Sequence, residues 1–132
     1  MSTTEPDNEM KHLNFITERV IGCAIEVHRA LGPGLLEHTY EAAMCLEMDR
    51  RRLKFVRQSM YPVKYKGETI SQQRIDLIVE SAVVVELKSV EGFDPLFMAQ
   101  VLTYLRCTGL RIGLLINFNG RVLRTGIRRF IL

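Results

Sequence analysis

The run VVVELKSVEG, Val83 to Gly92, constrains this chain more than any other stretch. Its aliphatic residues read as a buried β-strand. Successive side chains in a strand point to opposite faces, so Val84, Glu86 and Lys88 share one face while Val83, Val85 and Leu87 share the other. A buried charge is costly unless it is paired or holds a metal. Glu86 and Lys88 therefore need a compensating partner.

The elements around that strand follow from hydrophobic period. Leu13, Ile16, Val20, Ala24, Val27 and Leu31 recur at three- and four-residue steps and predict an amphipathic helix over residues 11–31. Gly32, Pro33 and Gly34 stop it. A second helix is expected over 35–52, with Leu36, Tyr40, Ala43 and Leu46 available for packing. From Phe55 the period shortens: Val63 and Tyr65 alternate with lysines ahead of a turn at Gly67, and 70–79 reads as the partner strand, with Ile75, Leu77 and Val79 on one face. Together with the Val83 strand these form a three-stranded meander. Asp94 followed by Pro95 predicts a capped helix start, and that helix should run to about Cys107 and end at Gly109. Residues 110–118 form a further apolar strand, and Asn119 with Gly120 suggests a hairpin turn into a short last strand. A strand joined through a helix to its neighbour is usually a right-handed parallel crossover, so 110–118 should lie parallel to 83–88. The expected fold is α/β, a small mixed sheet flanked by helices in the order ααβββαββ.

At 132 residues, 47% hydrophobic and 25% charged, the chain is expected to be one globular domain over 11–132 after a polar tail at 1–10. No apolar stretch reaches the roughly 18 residues of a membrane span, and the polar, acidic start is unlike a secretory signal, so the expectation is a cytoplasmic protein with no membrane partner. Cys23, Cys45 and Cys107 are odd in number and widely spaced, which argues against disulfides or a zinc site and for small core residues. The net charge of +3 is modest, but Arg121, Arg124, Arg128 and Arg129 crowd the end and Arg50, Arg51, Arg52, Lys54 and Arg57 form a second basic cluster. Both could attract a polyanion, although such clusters are more often solvated surface.

Asp76 lies ten residues before Glu86, on the face opposite Ile75 and Leu77. If Glu80, Ser81 and Ala82 form a three-residue loop, Asp76 stands directly opposite Glu86; a two-residue turn would send the carboxylates to opposite faces. Two adjacent carboxylates cannot both stay ionised without a cation, and hard ions such as Mg2+ or Mn2+ take oxygen ligands. Lys88 could then stabilise developing negative charge or help position a metal-activated water. An isolated E-x-K is more often a simple ion pair. Arg74, two before Asp76 on the same face, could meet a phosphate or form an ion pair at the rim.

Further polar residues raise the specificity of the pattern. GLLEHTY places Glu37 and Tyr40 on one face of the second helix, and QVLTY places Gln100 and Tyr104 on one face of the third. Taken together, GLLEHTY, DLIVESAVVVELK and QVLTY resemble the GxxExxY family, a small-protein branch of the PD-(D/E)XK nuclease superfamily, over nearly the whole chain from about Ile21. The resemblance implies a restriction-endonuclease-like core and metal ligands at Asp76 and Glu86, joined by the backbone carbonyl of Leu87. It also implies a catalytic Lys88, an extra acidic ligand at Glu37 from the preceding helix, and an orienting Gln100–Tyr104 element. Ile75 stands where the nominal motif has proline.

The resulting expectation is Mg2+- or Mn2+-dependent hydrolysis of DNA or RNA, with Arg74, Arg124 and Arg128 among the residues that would contact the nucleic acid without reading its sequence. Specificity would have to come from a homodimer, a partner or substrate shape. The alternative is a non-catalytic nucleic-acid-binding or interaction module that keeps the fold. A purely structural reading requires Asp76 and Glu86 to diverge.

Overall fold

The computed structural model describes residues 7–132. Helix α1, Asn8–Leu31, starts three residues earlier than its hydrophobic period suggests, because Asp7 caps it by accepting from the Met10 amide at 2.8 Å. Part of the expected polar tail is therefore helical, and residues 1–6 lie outside the described residues. Helix α2, Glu37–Arg50, is followed by strand β1, Phe55–Tyr65, and β2, Glu68–Val79. These two join through Lys66 and Gly67, both at positive φ, the backbone that a tight two-residue hairpin needs. Strand β3, Val83–Lys88, helix α3, Pro95–Thr108, strand β4, Ile112–Asn117, and strand β5, Ile127–Ile131, complete the chain.

The sheet runs β1-β2-β3-β4-β5, with β3 and β4 parallel and every other pair antiparallel. The parallel crossover and the element order are those expected. The last connection differs: a short 3-10 turn at Leu123–Gly126 intervenes before β5, in place of a direct hairpin at Asn119 and Gly120. Asn117 explains part of this. Its side chain is turned into the loop after β3 and bonds the Val90 amide, the Val90 and Gly92 carbonyls and the Asn119 amide, so the chain leaves β4 tied to that loop.

α1 and α2 cover one face of the sheet, meeting Leu77, Val79, Val83, Val85, Leu87, Ile112, Leu114 and Ile116. α3 covers the other, with Val84, Ile78, Tyr104 and Leu105. α3 starts as its sequence dictates, with Asp94 Oδ1 accepting from the Leu96 amide at 2.9 Å and Pro95 in the first turn, and it ends at Gly109 in the left-handed conformation. Cys23 and Cys45 are buried, whereas Cys107 is half-buried.

α2 packs through Tyr40, Glu41, Met44, Cys45 and Met48; Leu36 and Leu46, expected in the core, are exposed at 69% and 55%. Tyr40 fixes this rotation. Its ring stacks on Phe118 with centroids 4.4 Å apart, and its hydroxyl donates to the Gly32 carbonyl and accepts from the Leu35 amide.

A second departure bears on function. Ile75 does not share the face of Leu77 and Val79 but joins the α3 cluster. β1 loses phase at the same place: Val56, Ser59 and Tyr61 line one small cavity with Ile78. The register on either side is continuous, Arg57 opposite Leu77 and Ser59 opposite Ile75, yet the Gln58–Asp76 rung between them is missing. Gln58 has φ +51, the only positive-φ residue among the described residues that lies inside a strand rather than a turn. A left-handed glutamine costs on the order of 1 kcal/mol or more. The side-chain alternation of both strands is reset across this rung, which expels Gln58 and Asp76 from the ladder.

α3 and β4 approach unusually closely at Gly113. A Cβ built there would lie 2.7 Å from Val101 Cγ1. We expect Gly113→Ala to destabilise the fold by about 1–3 kcal/mol, read as a fall in Tm of several degrees by calorimetry; an unchanged Tm would mean that α3 does not rest on β4 as described.

Candidate metal-binding active site

β2 and β3 meet in the register that a three-residue loop imposes: Val79 opposite Val83, Ile78 opposite Val84 and Leu77 opposite Val85. Glu80 and Ser81 take positive φ to make the loop, and the Ala82 amide closes it on the Val79 carbonyl at 3.0 Å. The ladder ends at Leu77–Val85, and one step further along the same register Asp76 and Glu86 come close enough for their carboxyl groups to interact. The two carboxyl groups converge rather than diverge.

Asp76 Oδ2 accepts from the Leu87 backbone amide at 2.9 Å. Glu86 is 5% exposed, with Oε2 3.3 Å from Lys88 Nζ and Oε1 without a hydrogen-bond partner among the described residues. Burial first, and the Asp76 carboxylate second, push Glu86 up to about 8, only partly offset by the Lys88 ammonium. Lys88 is itself held: its Nζ lies 4.5 Å from the centre of the Phe97 ring on α3. Tyr104, on the same helix, is buried, and its phenol is raised by burial and then by the charges of Glu86 and Asp76. It stays protonated through neutral pH and can therefore donate to a carboxylate beside it. Gln100 lies one helical turn earlier on the same face, half-buried and without a hydrogen-bond partner among the described residues.

Glu37 stands apart from this group. It is exposed in the first turn of α2 and makes no hydrogen bond or ion pair with a described residue. The turn before it is nonetheless tied to the site, since Ser89, next to Lys88, donates to the Leu35 carbonyl at 2.5 Å. The buried acid of α2 is Glu41, one turn further on. Its Oε2 pairs with Arg57 Nη2 at 2.9 Å, and its Oε1 accepts from Gln58 Nε2 at 2.6 Å. The same amide nitrogen lies 3.4 Å from Asp76 Oδ1. Glu41 thus reaches Asp76 through Gln58. Neither residue follows from helical period or strand alternation; Glu41 at i+4 from Glu37 was the available signal.

Among the described residues no three His, Cys, Asp or Glu side chains gather closely enough to hold a metal by themselves. Two carboxylates and an orphaned buried oxygen nevertheless fit a hard divalent cation that keeps several waters. An unpaired buried carboxylate oxygen costs free energy that such an ion would recover.

Of the basic residues, Arg74 is exposed on β2 opposite Met60. Arg128 lies 4.2 Å from the centre of the Phe93 ring and donates to the Thr125 and Ile127 carbonyls; Arg124 is exposed on the 3-10 turn. Beside them a cavity of about 460 Å³, lined by Phe93, Asn117 and Arg121 among others, opens just past the ends of β3 and β4.

A sheet of this topology, with an acidic pair on adjoining strands and a lysine two residues on, defines a protein of the restriction-endonuclease-like class. A family model of the PD-(D/E)XK nuclease superfamily matches residues 14–130, and the chain belongs to that superfamily. No curated protein and no solved structure matches the chain. Superfamily nucleases generally use divalent metals such as Mg2+ and act on nucleic acid. Among the described residues no helix is long and apolar enough to cross a membrane.

Proposed function

We propose that this chain is a divalent-metal-dependent phosphodiesterase acting on DNA or RNA, of the GxxExxY branch. The observation that carries this reading is the unpartnered Glu86 Oε1, buried beside Asp76 with Lys88 at its other oxygen. Asp76 and Glu86 would hold Mg2+ or Mn2+, with the Leu87 carbonyl alongside and Glu37 contributing from the start of α2. The bound ion would supply charge neutralisation at the phosphate and an acidified water.

The chain's own residues do the rest. Lys88, confined between Glu86 and the Phe97 ring, holds a positive charge where negative charge develops on the phosphoryl oxygens. Protonated Tyr104 can donate to an anionic oxygen, and Gln100 can donate or accept, so the pair can orient a water or a phosphate oxygen along α3. Arg74, Arg124 and Arg128 would hold the backbone without reading bases. Such contacts suit sequence-independent binding in the cytoplasm.

The test is incubation of labelled linear and circular DNA and RNA with Mg2+ or Mn2+, comparing wild type with Glu86→Gln. Cleavage by the wild type alone is expected. Equal cleavage by both proteins would retire the enzyme, and tight binding without cleavage would favour a nucleic-acid-binding module.

A further inference from the structure

The missing rung between β1 and β2 has a role in the site. Gln58 is held at φ +51 in mid-strand, and its carboxamide sits between two carboxylates from different elements, 2.6 Å from Glu41 Oε1 and 3.4 Å from Asp76 Oδ1. Glu41 is anchored in turn by Arg57, through Nε at 3.1 Å and Nη2 at 2.9 Å, and that contact raises the Arg57 guanidinium further. A regular strand would have kept Gln58 in the ladder and Asp76 in phase with Ile78.

We propose that Gln58 is a positioning residue. Its amide couples Asp76 to the Arg57–Glu41 pair on α2 and fixes the Asp76 carboxylate for the cation, an inference that rests on the metal-dependent reading above. Asp76 then has both oxygens assigned before any ligand arrives: Oδ2 is fixed by the Leu87 amide, and Oδ1 is turned toward α2 by Gln58. A carboxylate oriented from both sides loses less freedom on coordination than one that rotates, which is how residues behind a metal ligand tune affinity. The link also explains why Glu41 is buried with a positive partner although it does not itself touch Asp76 or Glu86.

The experiment is calorimetric titration of the full chain with Mn2+, for wild type, Gln58→Ala, Gln58→Gly, Glu41→Gln and the double variant Gln58→Gly with Glu41→Gln. Gln58→Gly removes the amide and also relieves the left-handed backbone, which offsets the lost hydrogen bond to Glu41; thermal melts show that each variant compared is folded. Both Gln58 variants should bind Mn2+ about 10–100-fold more weakly than wild type. Glu41→Gln should weaken it too, and the double variant should lose little more than Gln58→Gly alone, because the two act through one linkage. Wild-type affinity in Gln58→Gly, or full additivity in the double variant, overturns this inference alone. Absence of Mn2+ binding to the wild type overturns it together with the nuclease reading.

Discussion

Replacing Lys88 by alanine should lower metal-dependent cleavage of nucleic acid by about 10²–10³-fold, the usual effect of deleting one preorganised charge-stabilising donor. Binding of nucleic acid should change far less. Lys88 is half-buried at the end of β3, and its ammonium is fixed by Glu86 Oε2 and the face of Phe97. Because its position is set in advance, little reorganisation is needed when charge develops on the phosphate. Asp76→Asn should cost at least as much, since it halves the negative charge available to the cation while keeping the acceptor for the Leu87 amide. Single-turnover rates measured across a Mn2+ titration separate the two: more Mn2+ should partly restore Asp76→Asn and should not restore Lys88→Ala. Turnover by Lys88→Ala within twofold of wild type would remove the lysine from the mechanism.

Without added metal, the thermal stability of the wild type should fall as pH rises from about 4.5 to about 8. Glu86 has a folded pKa of about 8 against an ordinary value of 4.5. Across that window the folded chain keeps a proton that the unfolded chain has released, so stability declines with pH, is fully present below the lower value and is lost above the upper one. At about 1.4 kcal/mol per pH unit for one proton, and allowing for relaxation around Lys88, the loss is on the order of 2–4 kcal/mol. That corresponds to roughly 10 °C in Tm for a domain of this size. Glu86→Gln cannot ionise and should flatten the curve, overtaking wild type above pH 8. Mn2+ or Mg2+ should reverse the wild-type trend, because the ion binds the deprotonated pair and its binding adds to stability. Parallel melting curves for wild type and Glu86→Gln would show that the carboxyl is not the group responsible.

Much of this site could be read from residue order. The three-residue loop, 80–82, fixes the register up to Leu77–Val85, and that register carried one step on brings Asp76 toward Glu86. The limits of α3 follow from Asp94, Pro95 and Gly109, which act within one turn of themselves. α2 was less legible. Ala42, Ala43, Met44, Cys45, Leu46 and Met48 put apolar groups nearly all round the helix, so period alone does not choose a face, and the choice falls to Tyr40 stacking on Phe118, distant in sequence. Glu41 and Gln58 were hidden for the same reason. The burial of Glu41 depends on Arg57 on another element, and a left-handed backbone at Gln58 runs against glutamine's own preference.

By itself the amino-acid order determined what short-range physics can enforce: helix caps, turn lengths, the mixed sheet and the facing of Asp76 and Glu86 with Lys88 on the same side. Tertiary structure alone decided which acid of α2 turns inward, where the β1–β2 ladder breaks and why Glu86 holds on to its proton. Each of these depends on what a distant element brings up against the residue, since burial and charge pairing are properties of the assembled interior and cannot be assigned to a segment in isolation.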